Sequence, residues 1–135
     1  MTEPRLSSPF SRDYQREQKR RAILSEAARL FNIHGARATK LDDISARLNL
    51  NKASLYYYVK SKDDLIYQCY LASCDNLSEM IDDADQQSGT GAGKLAAFIH
   101  AYFMASKAIM EGGRHHMAIL SELRALKPAH PKIVA

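Results

Sequence analysis

Residues 39–65 read TKLDDISARLNLNKASLYYYVKSKDDL, and this stretch decides the fold class. Leu41, Ile44 and Leu48 recur at three and four, the spacing of one helix face, and Thr39 followed by Asp42 resembles a capping box with Asp in place of Glu. A short second helix of about two and a half turns is expected here, at 3.6 residues per turn. Asn49 readily takes the left-handed conformation of a tight turn, Leu50 is placed to plug that turn into the core, and Asn51 is a good N-cap. A third short helix is therefore expected over residues 52–58. Ser61, with Asp63 and Asp64 in the first turn to complement the helix dipole, opens a fourth and longer helix. Its face carries Leu65, Ile66, Cys69, Ser73, Leu77, Met80 and Ala84, and it runs out near Asp85.

Upstream, Ile23, Leu24, Ala27, Ala28, Leu30 and Phe31 form one apolar stripe of a helix over residues 14–34, ended by Gly35 as a left-handed cap. Residues 1–12 hold Pro4, Pro9 and three serines with no apolar period, so they read as a flexible N-terminal arm. Downstream, the polar and glycine-rich residues 86–93, QQSGTGAG, read as a linker. A helix is expected over 94–111. Gly112 and Gly113 break it before a further helix over 114–126, and Pro128 and Pro131 then interrupt. No alternating strand pattern of useful length occurs, so the fold class is all-α. The chain of 135 residues divides into an arm at 1–12, a three-helix helix-turn-helix domain at 13–62 and a second, partial helical domain at 63–135.

Composition narrows the function. Hydrophobic residues at 46% and charged residues at 25% are ordinary for a soluble globular protein, and no apolar run is long enough to span a membrane. The first thirty residues show no secretory signal, so a cytoplasmic location is expected. Cys69 and Cys74 are the only two cysteines; five helical positions apart, they point about 140° away from each other and form no local disulfide. Charge is divided unevenly. Residues 1–62 hold 13 Lys+Arg against 6 Asp+Glu, a balance of +7, and residues 63–135 hold 6 against 9, a balance of −3, which together give the chain's +4. Such asymmetry points the N-terminal half at a polyanion, although a plain solvated basic surface has the same composition.

Two short helices joined by a three-residue turn and packed on a longer one form a helix-turn-helix, which places its second helix in the DNA major groove. The exposed first turn of the third helix offers Lys52, Ala53 and Ser54: a cation, a small residue that lets backbone approach, and a hydroxyl. Tyr56, Tyr57, Lys60 and Lys62 follow with groups suited to phosphate oxygens. Tyr58, three after Leu55, reads as core.

The run from Gly35 to Leu65 resembles the DNA-binding domain of TetR-family transcriptional regulators. The resemblance lies in Gly35, Thr39, Ile44 with Ser45, the Asn49 turn, Leu55-Tyr56-Tyr57-Tyr58 and Ser61-Lys62-Asp63-Asp64-Leu65. It departs at Leu48-Asn49-Leu50-Asn51, where the family has Ala-Gly-Val-Ser, and at Val59, often Phe. The resemblance implies DNA contacts from Thr39, Lys40, Lys52, Ala53, Ser54, Tyr56, Tyr57 and Lys62. It further implies a ligand-responsive repressor that binds a palindromic double-stranded DNA operator as a homodimer. The second domain would then bind a small-molecule effector, and Met80, Phe98, Tyr102, Phe103, Met104, Met110, Met117 and Leu120 are the candidate pocket residues. Residues 119–134, ILSELRALKPAHPKIV, are similar to a stretch in members that answer to fatty acids or acyl-CoA esters. Family members are longer and dimerise through their last two helices, so the chain is expected to be a fragment whose dimer interface lies beyond residue 135.

Other readings have less behind them. His115 and Glu111 can share a helix face, but two ligands do not make a zinc site, and no metal or other cofactor is expected. Residues 89–93, GTGAG, follow an acidic helix rather than a strand and lack the Lys-Ser/Thr ending of a phosphate loop. No nucleophile motif is present, so an enzyme is not expected. The basic first helix, with Arg16, Lys19, Arg20 and Arg21, is an alternative surface for anionic lipid, but it needs its apolar stripe for the core. The remaining alternative is a helical protein-interaction module without DNA binding.

Overall fold

The computed structural model describes residues 10–111, and these form five helices: α1 (Arg12–Ala38), α2 (Leu41–Arg47), α3 (Lys52–Tyr58), α4 (Lys62–Asp85) and α5 (Gly91–Met110). Among the described residues there is no strand, in keeping with the all-α expectation. Most of the expected arm, the helix expected over 114–126, and His115, Met117 and Leu120 lie outside the described residues.

The α1 stripe is buried as its spacing predicts: Ile23, Leu24, Ala27, Ala28, Leu30 and Phe31 face inward. They meet Ile44 of α2, Leu55 and Val59 of α3 and its cap, and Leu65, Ile66 and Cys69 of α4 in one cluster, with Leu41, Leu48, Leu50 and Tyr58 packed at its edge. Each such large side chain contributes about 1.5–3 kcal/mol on burial, which offsets the weak intrinsic stability of helices as short as α2 and α3. The cluster crosses residue 62, because the first turns of α4 complete the core under the two short helices.

α4 and α5 pack separately from this core, through Ala105 and Ile109 of α5 against Leu77 and Met80 of α4. Lys94 adds an ion pair to Asp85 at 3.0 Å across the connection.

Three boundaries differ from expectation. α1 begins at Arg12, two residues before the expected start, with the Ser11 hydroxyl accepting the Tyr14 N–H. Its regular part breaks at Gly35, where φ is 79°, and a further turn continues to Ala38. α2 is capped at Lys40 rather than Thr39, and Asp43 rather than Asp42 closes the box by accepting the Lys40 N–H at 3.1 Å. α5 starts at Gly91, inside the expected linker, because Thr90 caps it by accepting the Gly93 N–H at 3.2 Å.

Candidate nucleic-acid interface

The geometry of α3 follows from its two ends. Asn49 adopts φ 53°, the left-handed turn expected of it, and the Leu50 N–H donates to the Ser45 carbonyl at 2.8 Å. The turn therefore closes tightly and delivers Asn51 as the N-cap, whose Oδ1 accepts the Ser54 N–H at 2.7 Å. Leu55 and Val59 are buried and pin the helix to α1 and α4. With that face fixed, the opposite face must look outward: Lys52, Ala53, Tyr56 and Tyr57 are exposed and Ser54 is half-buried. Tyr58 is half-buried against the core, and its ring meets that of Tyr57 edge-on at 5.1 Å.

Cations surround this face. Lys52 Nζ lies 3.2 Å from Asp42 Oδ1, and both side chains are exposed, so phosphate can compete for the lysine at little cost. Lys40 is exposed at the start of α2. Lys62 Nζ donates to the Arg37 carbonyl at 3.2 Å, which ties the start of α4 to the end of α1. Beside it, the Ser61 hydroxyl accepts the Asp64 N–H, and Asp64 Oδ2 accepts the Lys60 N–H at 2.9 Å.

Thr39 behaves otherwise than the resemblance implies. Its side chain is 3% exposed, and its hydroxyl donates to the Gly35 carbonyl at 2.9 Å. It locks the α1–α2 connection from inside, and the hydroxyl is turned away from the outward face. The sequence reading gives Arg16 only to an alternative lipid surface and does not bring it to α3: its guanidinium sits 5.7 Å from the centre of the Tyr57 ring. Its charge was visible, but periodicity along one helix says nothing about which distant helix it meets.

The candidate effector residues divide differently. Met80 and Phe98 are half-buried, while Tyr102, Phe103, Met104 and Met110 are exposed. Two helices form no enclosure here, and Tyr102, Phe103 and Met104, at about 100° per residue, fan around the exposed side of α5 rather than converge on one cavity. Among the described residues no group of three or more His, Cys, Asp or Glu side chains stands close enough to hold a metal ion.

A helix pair with this turn, packed on α1 as a third helix, has the geometry of a helix-turn-helix. The sequence model of the bacterial regulatory proteins of the tetR family matches residues 23–69, the part of the chain that holds α2, α3 and the helix ends packed on them. It is 43% identical over 54 residues to the biofilm operon icaADBC HTH-type negative transcriptional regulator IcaR of Staphylococcus epidermidis, a match covering 40% of this chain and 29% of that protein. To the IcaR of Staphylococcus aureus (strain Newman) it is 32% identical over 80 residues, 59% of this chain and 43% of that protein. The match thus spans less than half the length of these relatives. No solved structure matches the chain.

Proposed function

We propose that the chain is the DNA-reading part of a ligand-responsive transcriptional repressor that binds a palindromic operator as a homodimer. The observation that carries the reading is the α3 face. A helix pinned by Leu55 presents Lys52, Ala53, Ser54, Tyr56 and Tyr57 together, with Lys40 and Lys62 at its flanks. Lys52 and Ser54 are assigned to base edges, and Lys40, Tyr56, Tyr57 and Lys62 to phosphates, since hydroxyls and ammonium groups suit both and position on α3 divides them. Repression is supported by the names of the two relatives, both negative regulators.

Two copies are needed because a single short reading helix discriminates too few base pairs to select one site among the many a genome offers. Signalling is assigned to α4. Its first half is part of the reading domain's core and its second half packs on α5, so an effector that moves α5 acts on the spacing of the two reading heads. The effector is a small molecule, with a fatty acid or acyl-CoA ester as the class suggested by residues 119–134.

Selection from a random duplex pool tests this. Enrichment of an inverted repeat, with half-sites about one helical turn or a multiple apart, supports the reading. Winners with no shared motif, or no retained DNA, would leave a helical protein-interaction module as the better account.

A further inference from the structure

Five cations occupy the first half of α1, and they separate into two groups by what faces them. Arg20 Nε lies 3.0 Å from Glu17 Oε2, and Arg21 Nε lies 3.1 Å from Glu17 Oε1. One carboxylate serves both, and the hydrogen bond from Arg20 holds its pKa below the usual carboxylate range. Arg12, Arg16 and Lys19 stand at i, i+4 and i+7, along one side of the helix. All three are exposed, and none has a carboxylate within ion-pair distance among the described residues.

This free stripe is directed at the reading helix. Arg12, Arg16 and Lys19 line an open groove of about 330 Å³ together with Tyr57 and Tyr58, the last two residues of α3, with Asp13 and Gln15 also on its wall. The Arg16 guanidinium is steadied against the Tyr57 ring at 5.7 Å, which reduces the side-chain freedom it would lose on binding an anion. From Arg12 to Lys19 the stripe is about 10 Å long at roughly 1.5 Å per residue, close to the span of about three phosphates of one DNA strand at roughly 3.4 Å each.

We infer that Arg12, Arg16 and Lys19 extend the DNA interface past the C-terminal end of α3 and hold backbone phosphates flanking the bases that α3 reads. The inference rests on the proposed entry of α3 into DNA and adds an affinity element that does not read sequence. A lipid surface fits the same charges less well. The α1 apolar stripe is spent in the core, and a membrane-surface helix needs a large exposed one.

The test is the triple substitution Arg12→Gln, Arg16→Gln, Lys19→Gln in the full chain, with affinity for a selected duplex and a scrambled duplex measured by anisotropy across a salt series. The slope of log K against log[salt] should become shallower by about 2–3 for each bound domain, at about 0.9 per phosphate contact. Both duplexes should weaken by a similar factor, so that the preference between them stays. Lys107→Gln, on the remote face of α5, should leave the slope as it is. Ethylation interference on the unmodified protein gives the same answer without a variant: blocking phosphates outside the selected base pairs should weaken binding.

An unchanged slope, interference confined to the selected base pairs, or a loss of preference in place of affinity would overturn the inference while leaving the α3 reading intact. Triple-variant binding that matches the parent on DNA but fails on anionic vesicles would assign the stripe to lipid. A parent chain that binds neither duplex would remove the DNA reading, and this inference with it.

Discussion

A hydroxyl that donates inward is unavailable to a ligand outside, and Thr39 is such a residue. Its bond to the Gly35 carbonyl holds the chain where α1 passes into α2. Thr39→Val should therefore cost about 1 kcal/mol of stability in urea denaturation, the net value of one hydrogen bond, and leave base preference unchanged. A variant as stable as the parent but altered in preference would return Thr39 to the interface. Cys69 offers a second case. Burial pushes its thiol up to about 12 from 9.0, while Cys74 is half-buried on the next turns of α4. Because the thiolate is the reactive form, a thiol reagent at pH 8 should modify one cysteine per native chain quickly and the second only on unfolding. Two equal fast phases in the native protein would contradict the burial of Cys69. The sign for stability follows from the same shift. The folded state favours the protonated thiol, so this contribution is complete below about pH 9 and is lost as pH rises towards 12.

At the scale of elements, the turn between α2 and α3 depends on one backbone conformation. With φ at 53°, Asn49→Gly should be nearly neutral, whereas Asn49→Val should destabilise by about 1–2 kcal/mol, the cost of a left-handed β-branched residue. Thermal melts of the two variants check this, and equal melting points would contradict it. The same turn shows why so much of the fold was legible in the sequence. Asn49, Asn51 and Ser61 each solve a local problem of dihedral angle or unpaired N–H, and local problems are written locally. Where two neighbours compete for one task, legibility ends. By residue type Thr39 and Asp42 are the better capping box, since lysine has no acceptor, but the Thr39 hydroxyl is buried on the Gly35 carbonyl and the Lys40 N–H goes to Asp43 instead. The start of α5 was hidden for a related reason, since Gly91 and Gly93 read as linker although the Thr90 cap holds them in the first helical turn. Of the candidate site, the outward face of α3 was readable once Leu55 was taken as core. The meeting of Arg16 with Tyr57 is tertiary, and no spacing within either helix encodes it.

At the scale of the molecule, α4 is shared between two layers. Leu65, Ile66 and Cys69 belong to the reading domain's core, and Leu77 and Met80 to the contact with α5. Among the described residues the first layer is large and the second rests on few side chains. Local opening should therefore begin at α5, with amide exchange faster at 91–110 than at 23–31 in the core of α1. Uniform protection across both segments would contradict a two-layer molecule. Among the described residues no helix is long and apolar enough to cross a membrane.

The central claim is that α3 reads DNA sequence while its neighbours hold the backbone. The most direct measurement is the ratio of Kd for a scrambled duplex to Kd for the selected duplex at one fixed salt concentration, in the parent, Lys52→Ala and Lys62→Ala. The account predicts a large ratio in the parent, a ratio reduced about 10-fold or more by Lys52→Ala, the order of one base contact, and a ratio unchanged by Lys62→Ala although both affinities fall. Equal ratios in all three proteins would contradict it.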